Sequence, residues 1–533
     1  MSNDDDDDLP APIPSPQTRP WLEPLAIPNV KQPQSFPLDR VAAAVAGAEE
    51  CGRGDHQGFL DYPPQKYYEM HVREALHRFH PDLPIQSIWG FDGRYPGPTL
   101  HATYGESSIV RIYNDLAADI SGYGSPEIAT HLHNLHSPSE SDGFPSDFFS
   151  RTIAGPTFTR PGRFRDHHYC NAFAGDDPRE ALGTLWYHDH RMDFTAGNVT
   201  RGLAGFYLLF DTLDSGNEGD PNPAALRLPS GAFDVPIIFQ DKRFAPNGVV
   251  AFNQFDTEGV IGDRTAVNGK ILPFFRVQPR KYRLRFLNGG PLRFYEFVID
   301  LNGRNQSFQY IGNDGNLLPA PLTADNVHLG IAERADVVVD FSKVPFGSRL
   351  FLRNRLKQDR GRGPDEDDPR LRTGVPVLRF DVVQPLAAPD KSRVPAILRP
   401  LEAIETLIAE ARIERRFRFK RDNNLWAVNN KLFDPLVPLV RPKLGSTEIW
   451  EFEPEGNWHH PVHVHFEEGR IISRDGRPPP PHERGRKDVY VLTPGEKVRI
   501  VMRFRGFQGK YVTHCHNLVH EDHAMMFRWD IVP

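Results

Sequence analysis

The chain has 533 residues, with 43 glycines, 50 prolines, a net charge of −7 and three cysteines. That length allows three or four domains with ample core, and the Gly and Pro content suits short strands joined by turns. Three cysteines exclude a disulfide-dense scaffold, mixed charge without a basic stripe argues against nucleic acid as partner, and no run approaches the ~18 apolar residues of a membrane span.

Residues 1–37 open on the acidic run Asp4–Asp8 and continue through a Pro-rich stretch. Such a segment is expected to be a solvated tail, with Trp21 to Pro37 lying along the body as an arm. The N-terminus shows no basic n-region, apolar core or twin-Arg pattern, so no leader is read and a cytoplasmic protein is expected.

The β pattern starts near Tyr67. A first unit, 38–215, includes alternating Tyr67–Val72, the turn around Asp92-Gly93, His131-Leu132-His133, Trp186-Tyr187-His188-Asp189-His190 and a closing strand in Gly202–Phe210. A second unit, 230–385, runs from Val235–Arg243 to Val337–Phe341 and beyond, with one isolated histidine, His328. Its charged insertion Gln358–Arg370 reads as a mobile loop. Residues 386–402 form a Pro- and Ala-rich linker, and Leu401–Ala411 is the one stretch with a helical period. The third unit, 403–533, holds His460-Pro461-Val462-His463-Val464-His465 and the His514-Cys515-His516 stretch. Short strands with turn signals, in three successive blocks, predict an all-β chain of three consecutive Greek-key sandwiches or barrels. Spacing leaves open whether Cys51 and Cys170 pair.

Four His-x-His pairs carry the chemistry: His131/His133, His188/His190, His463/His465 and His514/His516. On a strand each pair projects to one face, its members ~6.6 Å apart at ~3.3 Å per residue. That spacing suits bridging two neighbouring metals better than chelating one. Alternation sends Cys515 to the opposite face, where one thiolate, two imidazoles and a weak thioether make the ligand set of an electron-transfer copper. Zinc is the chemical alternative, but a thiolate-His-His-Met set is not its preference. The basic residues of Gly469–Lys487 read as a solvated loop that could favour anionic aromatics.

These motifs resemble the four copper motifs of the three-domain multicopper oxidases. Arg78–Pro84, Trp89–Thr99, Ser141–Pro145, Ala332-Glu333-Arg334-Ala335-Asp336 and Pro478–Glu483 extend the likeness to the branch of bacterial spore-coat laccases and bilirubin oxidases. The resemblance implies three cupredoxin-like domains and four copper ions. His460, Cys515 and His520 with axial Met525 are similar to the ligands of the mononuclear (type 1) copper, and His131 and His463 to those of the single (type 2) copper. His133, His188, His190, His465, His514 and His516 are similar to the ligands of the coupled (type 3) pair. Implied too are one-electron oxidation of a small aromatic reductant at the edge of His460, four-electron reduction of O2 to water, and proton relay by Glu521 and Asp142. A monomer without membrane contact is expected, and the spore-coat likeness leaves an extracytoplasmic or spore-associated location open. A cuprous-ion oxidase is the alternative activity; it would be expected to carry a Met-rich insert, and only six methionines occur, unclustered outside Met525-Met526.

Overall fold

A computed structural model describes residues 13–36, 41–365, 370–422 and 425–533. The acidic run Asp4–Asp8 and residues Glu366, Asp367 and Asp368 of the charged insertion lie outside the described residues.

Successive stretches of chain each build two sheets. Residues 66–210 supply one four-stranded sheet that includes Lys66–His77 and Ser108–Asn114, and another in the order Leu100–Thr103, Ala204–Phe210, Thr184–Asp189, Thr130–His133. Residues 234–382 supply a seven-stranded and a six-stranded sheet. Residues 413–531 supply a six-stranded sheet and a four-stranded one in the order Val489–Leu492, His460–Val464, Gly509–Cys515, Met526–Ile531.

The cores follow from the alternating aromatic and β-branched residues that favour pleated, half-buried surfaces. Phe239, Phe286, Tyr295 and Phe297 pack between the sheets of the second unit. Trp450, Trp529, Phe504 and Tyr511 do the same in the third. At ~25 cal/mol per Å2, burying a ring of about 150–250 Å2 contributes roughly 4–6 kcal/mol before ordering entropy is subtracted.

The arm is longer than the sequence suggested. Ser15 N donates to Asp263 Oδ2 at 2.9 Å, Leu25 N to Phe274 O at 2.7 Å and Lys31 N to Thr99 O at 2.8 Å. Residues 13–36 therefore run from the second unit to the first as a paired segment, not as a solvated tail. The described part of the charged insertion is also packed: Gln358 is 3% exposed, accepts from Phe294 N and donates to Leu292 O. Burying that amide with both ends satisfied pins 358–365 down, which corrects the expectation of a mobile loop there.

Gly469–Lys487 is in large part packed where a solvated loop was expected, with residues 475–478 exposed at its tip. Arg474 pairs with Glu483 and Glu496, Arg486 with Glu180 and Glu468, and Lys487 with Asp314 and Glu333. These three cations are paired, whereas Arg477 and Arg484 of the same segment are exposed. Cys51 and Cys170 are free and buried.

Candidate metal centre

Strand register brings the His-x-His pairs together. His131 lies opposite His188 between Thr130–His133 and Thr184–Asp189. In the third unit His463 lies opposite His514, and Val462 opposite Cys515, between His460–Val464 and Gly509–Cys515. The two units then meet face to face: the His131 ring stacks on His465 at 3.9 Å and the His133 ring on His463 at 3.7 Å. All eight imidazoles are 0% exposed.

Within this nest the donors sort by distance. His190 Nε2 lies 3.2 Å from both His465 Nε2 and His514 Nε2, which are 3.3 Å from each other. Two donors bound at ~2.0 Å to one tetrahedral centre are separated by about 3.3 Å, so this triangle fits a single ion. His131 Nε2 and His463 Nε2 are 3.5 Å apart and form a second focus. The rings of His133, His188 and His516 surround a third, at 5.2–5.8 Å between centroids. His188 Nε2 and His516 Nε2 are buried without a hydrogen-bond partner. An unpaired buried nitrogen costs about 1–3 kcal/mol, and a metal ion removes that cost.

The opposite face of the same strand builds the second site. Cys515 Sγ lies 3.5 Å from His460 Nδ1 and 3.5 Å from His520 Nδ1. His520 returns to the sulfur because the five-residue helix Leu518–Asp522 starts there, with the Asn517 side chain accepting from Val519 N and His520 N. Asn517 Nδ2 also lies 3.2 Å from His520 Nε2, which leaves Nδ1 to face the sulfur. Met525 packs in the core cluster of Cys515, whereas Met526 packs with Phe144 and Val512. This favours Met525 over its neighbour as the thioether donor. His460 is 0% exposed, so the expected solvent edge of that ring is absent. Trp426 stacks on His520 at 3.7 Å, Trp458 meets the same ring edge-on at 5.2 Å, and Trp458 is itself 6% exposed.

Burial sets the electrostatics. It holds the imidazoles of His131, His133, His188, His463, His465, His516 and His520 well below the usual range and pushes His460 down to about 3, so their lone pairs are free for metal. Burial also raises the Cys515 thiol, so a metal that binds there must displace a proton.

The two candidate relay carboxyls touch the nest from outside. Asp142 Oδ2 accepts from His465 Nδ1 at 2.8 Å, and Asp142 O accepts from His131 Nδ1. Glu521 places its two oxygens 3.1 Å from His190 Nδ1 and 2.9 Å from His514 Nδ1. Burial works to raise the Glu521 carboxyl, and the flanking imidazoles outweigh it and hold the group well below the usual range. Asp189 faces away from the metal, accepting from Ala129 N and Asn198 Nδ2. Sequence reasoning missed Asp488, whose Oδ2 lies 3.2 Å from His133 Nε2, and missed Asn517 and Trp426. Among the described residues, His131/His463/His465, His190/His465/His514 and His460/Cys515/His520 each form a group able to hold a metal ion.

Comparison with known proteins agrees with this geometry. Two multicopper oxidase family models match residues 409–533 and 77–159. A bilirubin oxidase of Albifimbria verrucaria is 35% identical, over 96% of this chain and 81% of that protein. The chain belongs to the multicopper oxidases. A Bacillus subtilis laccase is 32% identical over 87% of this chain and 94% of that protein, which places the multicopper oxidase in the laccase and bilirubin oxidase branch. The solved structure of a Pediococcus acidilactici laccase superposes with a TM-score of 0.75 at 24% identity, covering 98% of this chain and 96% of that one, and shares the three-domain cupredoxin fold. The protein is therefore a copper-dependent oxidoreductase that uses O2 as acceptor, with one type 1, one type 2 and a pair of type 3 coppers. No helix among the described residues is long and apolar enough to cross a membrane.

Proposed function

We propose that this oxidase takes electrons singly from small phenols, aromatic amines or bilirubin-like pigments and acts as a monomer without membrane or nucleic-acid partners. The observation that supports this reading is the pair of donor clusters at the end of the strand Gly509–Cys515, with Cys515 in one and His514 in the other and His516 following directly. In this reading His460 Nδ1, Cys515 Sγ, His520 Nδ1 and Met525 hold the type 1 copper, and His131 with His463 hold the type 2 copper. The type 3 pair divides into His133, His188 and His516 for one ion and His190, His465 and His514 for the other. Copper is thus assigned to the first unit, 38–215, and the third, 403–533, with none in the second, 230–385.

When bound, the four coppers supply one-electron acceptance at the type 1 site and four-electron reduction of O2 to two waters at the other three. The chain's part is to orient and to exclude water. Carbonyl and carboxylate acceptors at Nδ1 leave Nε2 of His131, His463 and His465 toward the metal. The Trp426 and Trp458 indoles cover His520, so reductants deliver electrons across an aromatic lid. Reduction of O2 consumes four protons, and we assign their relay to Asp142 and Glu521, which reach the nest from outside.

The test is oxygen uptake by the copper-loaded chain with a phenol, bilirubin and Cu(I) offered side by side. Uptake with the organic reductants, abolished by Cys515→Ser, is expected. Uptake with Cu(I) alone would overturn the substrate assignment, and a chain that takes up no copper would overturn the site assignment.

A further inference from the structure

The second unit holds none of the assigned ligands, yet it reaches the cluster through one side chain. Arg334 opens the strand Arg334–Asp340 and is 1% exposed. It donates from Nη1 to Asp488 Oδ1 at 2.8 Å and from Nη2 to Asp488 Oδ2 at 2.9 Å, a two-pronged grip that a lysine cannot make. Its other bonds go to Thr184 O at 3.3 Å, Ala332 O at 3.0 Å and Asp314 O at 2.5 Å. One guanidinium therefore ties Thr184 of the first unit, Ala332 and Asp314 of the second, and Asp488 of the third.

Asp488 is where that grip meets the metal nest. It is 0% exposed, its Oδ2 is 3.2 Å from His133 Nε2, and its carbonyl accepts from His463 Nδ1 at 2.9 Å. His133, His463 and Asp488 also form a group whose donor atoms lie within 4.8 Å of one another. The carboxylate is thus within reach of an ion held by those imidazoles, and Arg334 is the cation that already occupies both of its oxygens.

We propose that Arg334 is a positioning residue for the copper cluster, acting through Asp488. It keeps the carboxylate beside the type 2 and type 3 sites as an outer anion, not a ligand, and fixes the His463 ring through the Asp488 carbonyl. This rests on the assignment of the imidazole nest to copper. Without the guanidinium, Asp488 would keep its place beside His133 with no cation on its oxygens and would be free to turn toward an ion held by the imidazoles.

The experiment compares copper-loaded parent, Arg334→Lys, Arg334→Met and Arg280→Met. Arg280, in the same unit as Arg334, pairs with Glu218 and Asp390 on either side of that unit, outside the Arg334–Asp488 grip, and controls for lost stability alone. Copper per chain, the visible band of the Cys515 thiolate and the type 2 paramagnetic signal are read during titration with a chelator. Both Arg334 variants are expected to keep the thiolate band, show an altered type 2 signal, and lose cluster copper to chelator about 10- to 100-fold more readily. Arg280→Met is expected to match the parent. Should Arg334→Met leave Asp488 unpaired and fail to fold, Arg334→Met/Asp488→Leu removes both charges and is expected to show the same selective loss. The proposal is overturned if the Arg334 variants retain cluster copper and the parent signal, if both sites lose copper in equal proportion, or if Arg280→Met shows the same selective loss. A parent chain that binds no copper defeats the site assignment instead.

Discussion

Lys242 is a cation buried outside the metal nest. It ends the strand Asp234–Lys242 at 2% exposure, donates from Nζ to Thr200 O at 2.8 Å and lies 5.3 Å from the centre of the Tyr95 ring. Burial depresses its pKa to about 7, against the pull of Asp241. Below pH 7 both folded and unfolded chains carry the proton, and the cost of burying the charge is fully present. Between pH 7 and its unfolded value of ~10.4 only the unfolded chain is protonated, so stability rises with pH by at most about 1.4 kcal/mol per unit. Lys242→Met should therefore be stabilised relative to the parent more at pH 7 than at pH 9.5. Thermal midpoints of both chains at the two pH values check this, and a gap that does not shrink refutes it. At this scale the histidines and the cysteine that the fold gathers were legible, because His-x-His spacing and a flanked cysteine state their chemistry locally. Asp488 was not, since Arg486-Lys487-Asp488 reads as ordinary surface charge until Arg334, 154 residues away, is seen to grip it.

Among the short elements, the turn Ser139–Asp142 does the most for the nest. Gly143 follows it at φ +88°, and a Cβ there would run into Thr130 O and the His131 backbone. The turn can pass this close only without a side chain, and the closeness lets Asp142 reach both His131 and His465. Gly143→Ala combines left-handed strain with a backbone clash and is expected to cost about 2 kcal/mol or more. Type 2 copper should be lost before type 1. Thermal unfolding and copper analysis would measure this, and an unchanged midpoint with full copper would contradict it. The strands and the turn at Asp92-Gly93 were visible in the sequence as alternation and turn chemistry. The helices Thr195–Arg201 and Leu518–Asp522, at seven and five residues, were not. They are too short to show a period and are held by tertiary packing, as when Asp522 accepts from Thr195 N and Ala196 N.

For the molecule as a whole, the proposed ligand assignment makes copper the link between the first and third units, while the second has its own large core. A ligand that binds only the folded chain stabilises it by about 4 kcal/mol at a thousand times its dissociation constant. Chelation should therefore lower the calorimetric transition of the first and third units and leave a component from the second nearly in place. Equal displacement of every component would show that the units unfold together. The three-block order was legible from turn spacing. The junctions between blocks were not, because Arg399–Asp211 and Arg486–Glu180 join residues 188 and 306 positions apart.

His131 Nε2 and His463 Nε2 are 3.5 Å apart in space and 332 residues apart in sequence. During translation the first unit emerges with four of the nest's eight imidazoles, and the other four do not yet exist. On the proposed assignment, nothing on a ribosome-bound fragment can complete the oxygen-reducing centre until His514 and His516 have cleared the exit tunnel. On that same assignment, a frameshift at His514 would spare most of the sheets and still yield a colourless, inert polypeptide.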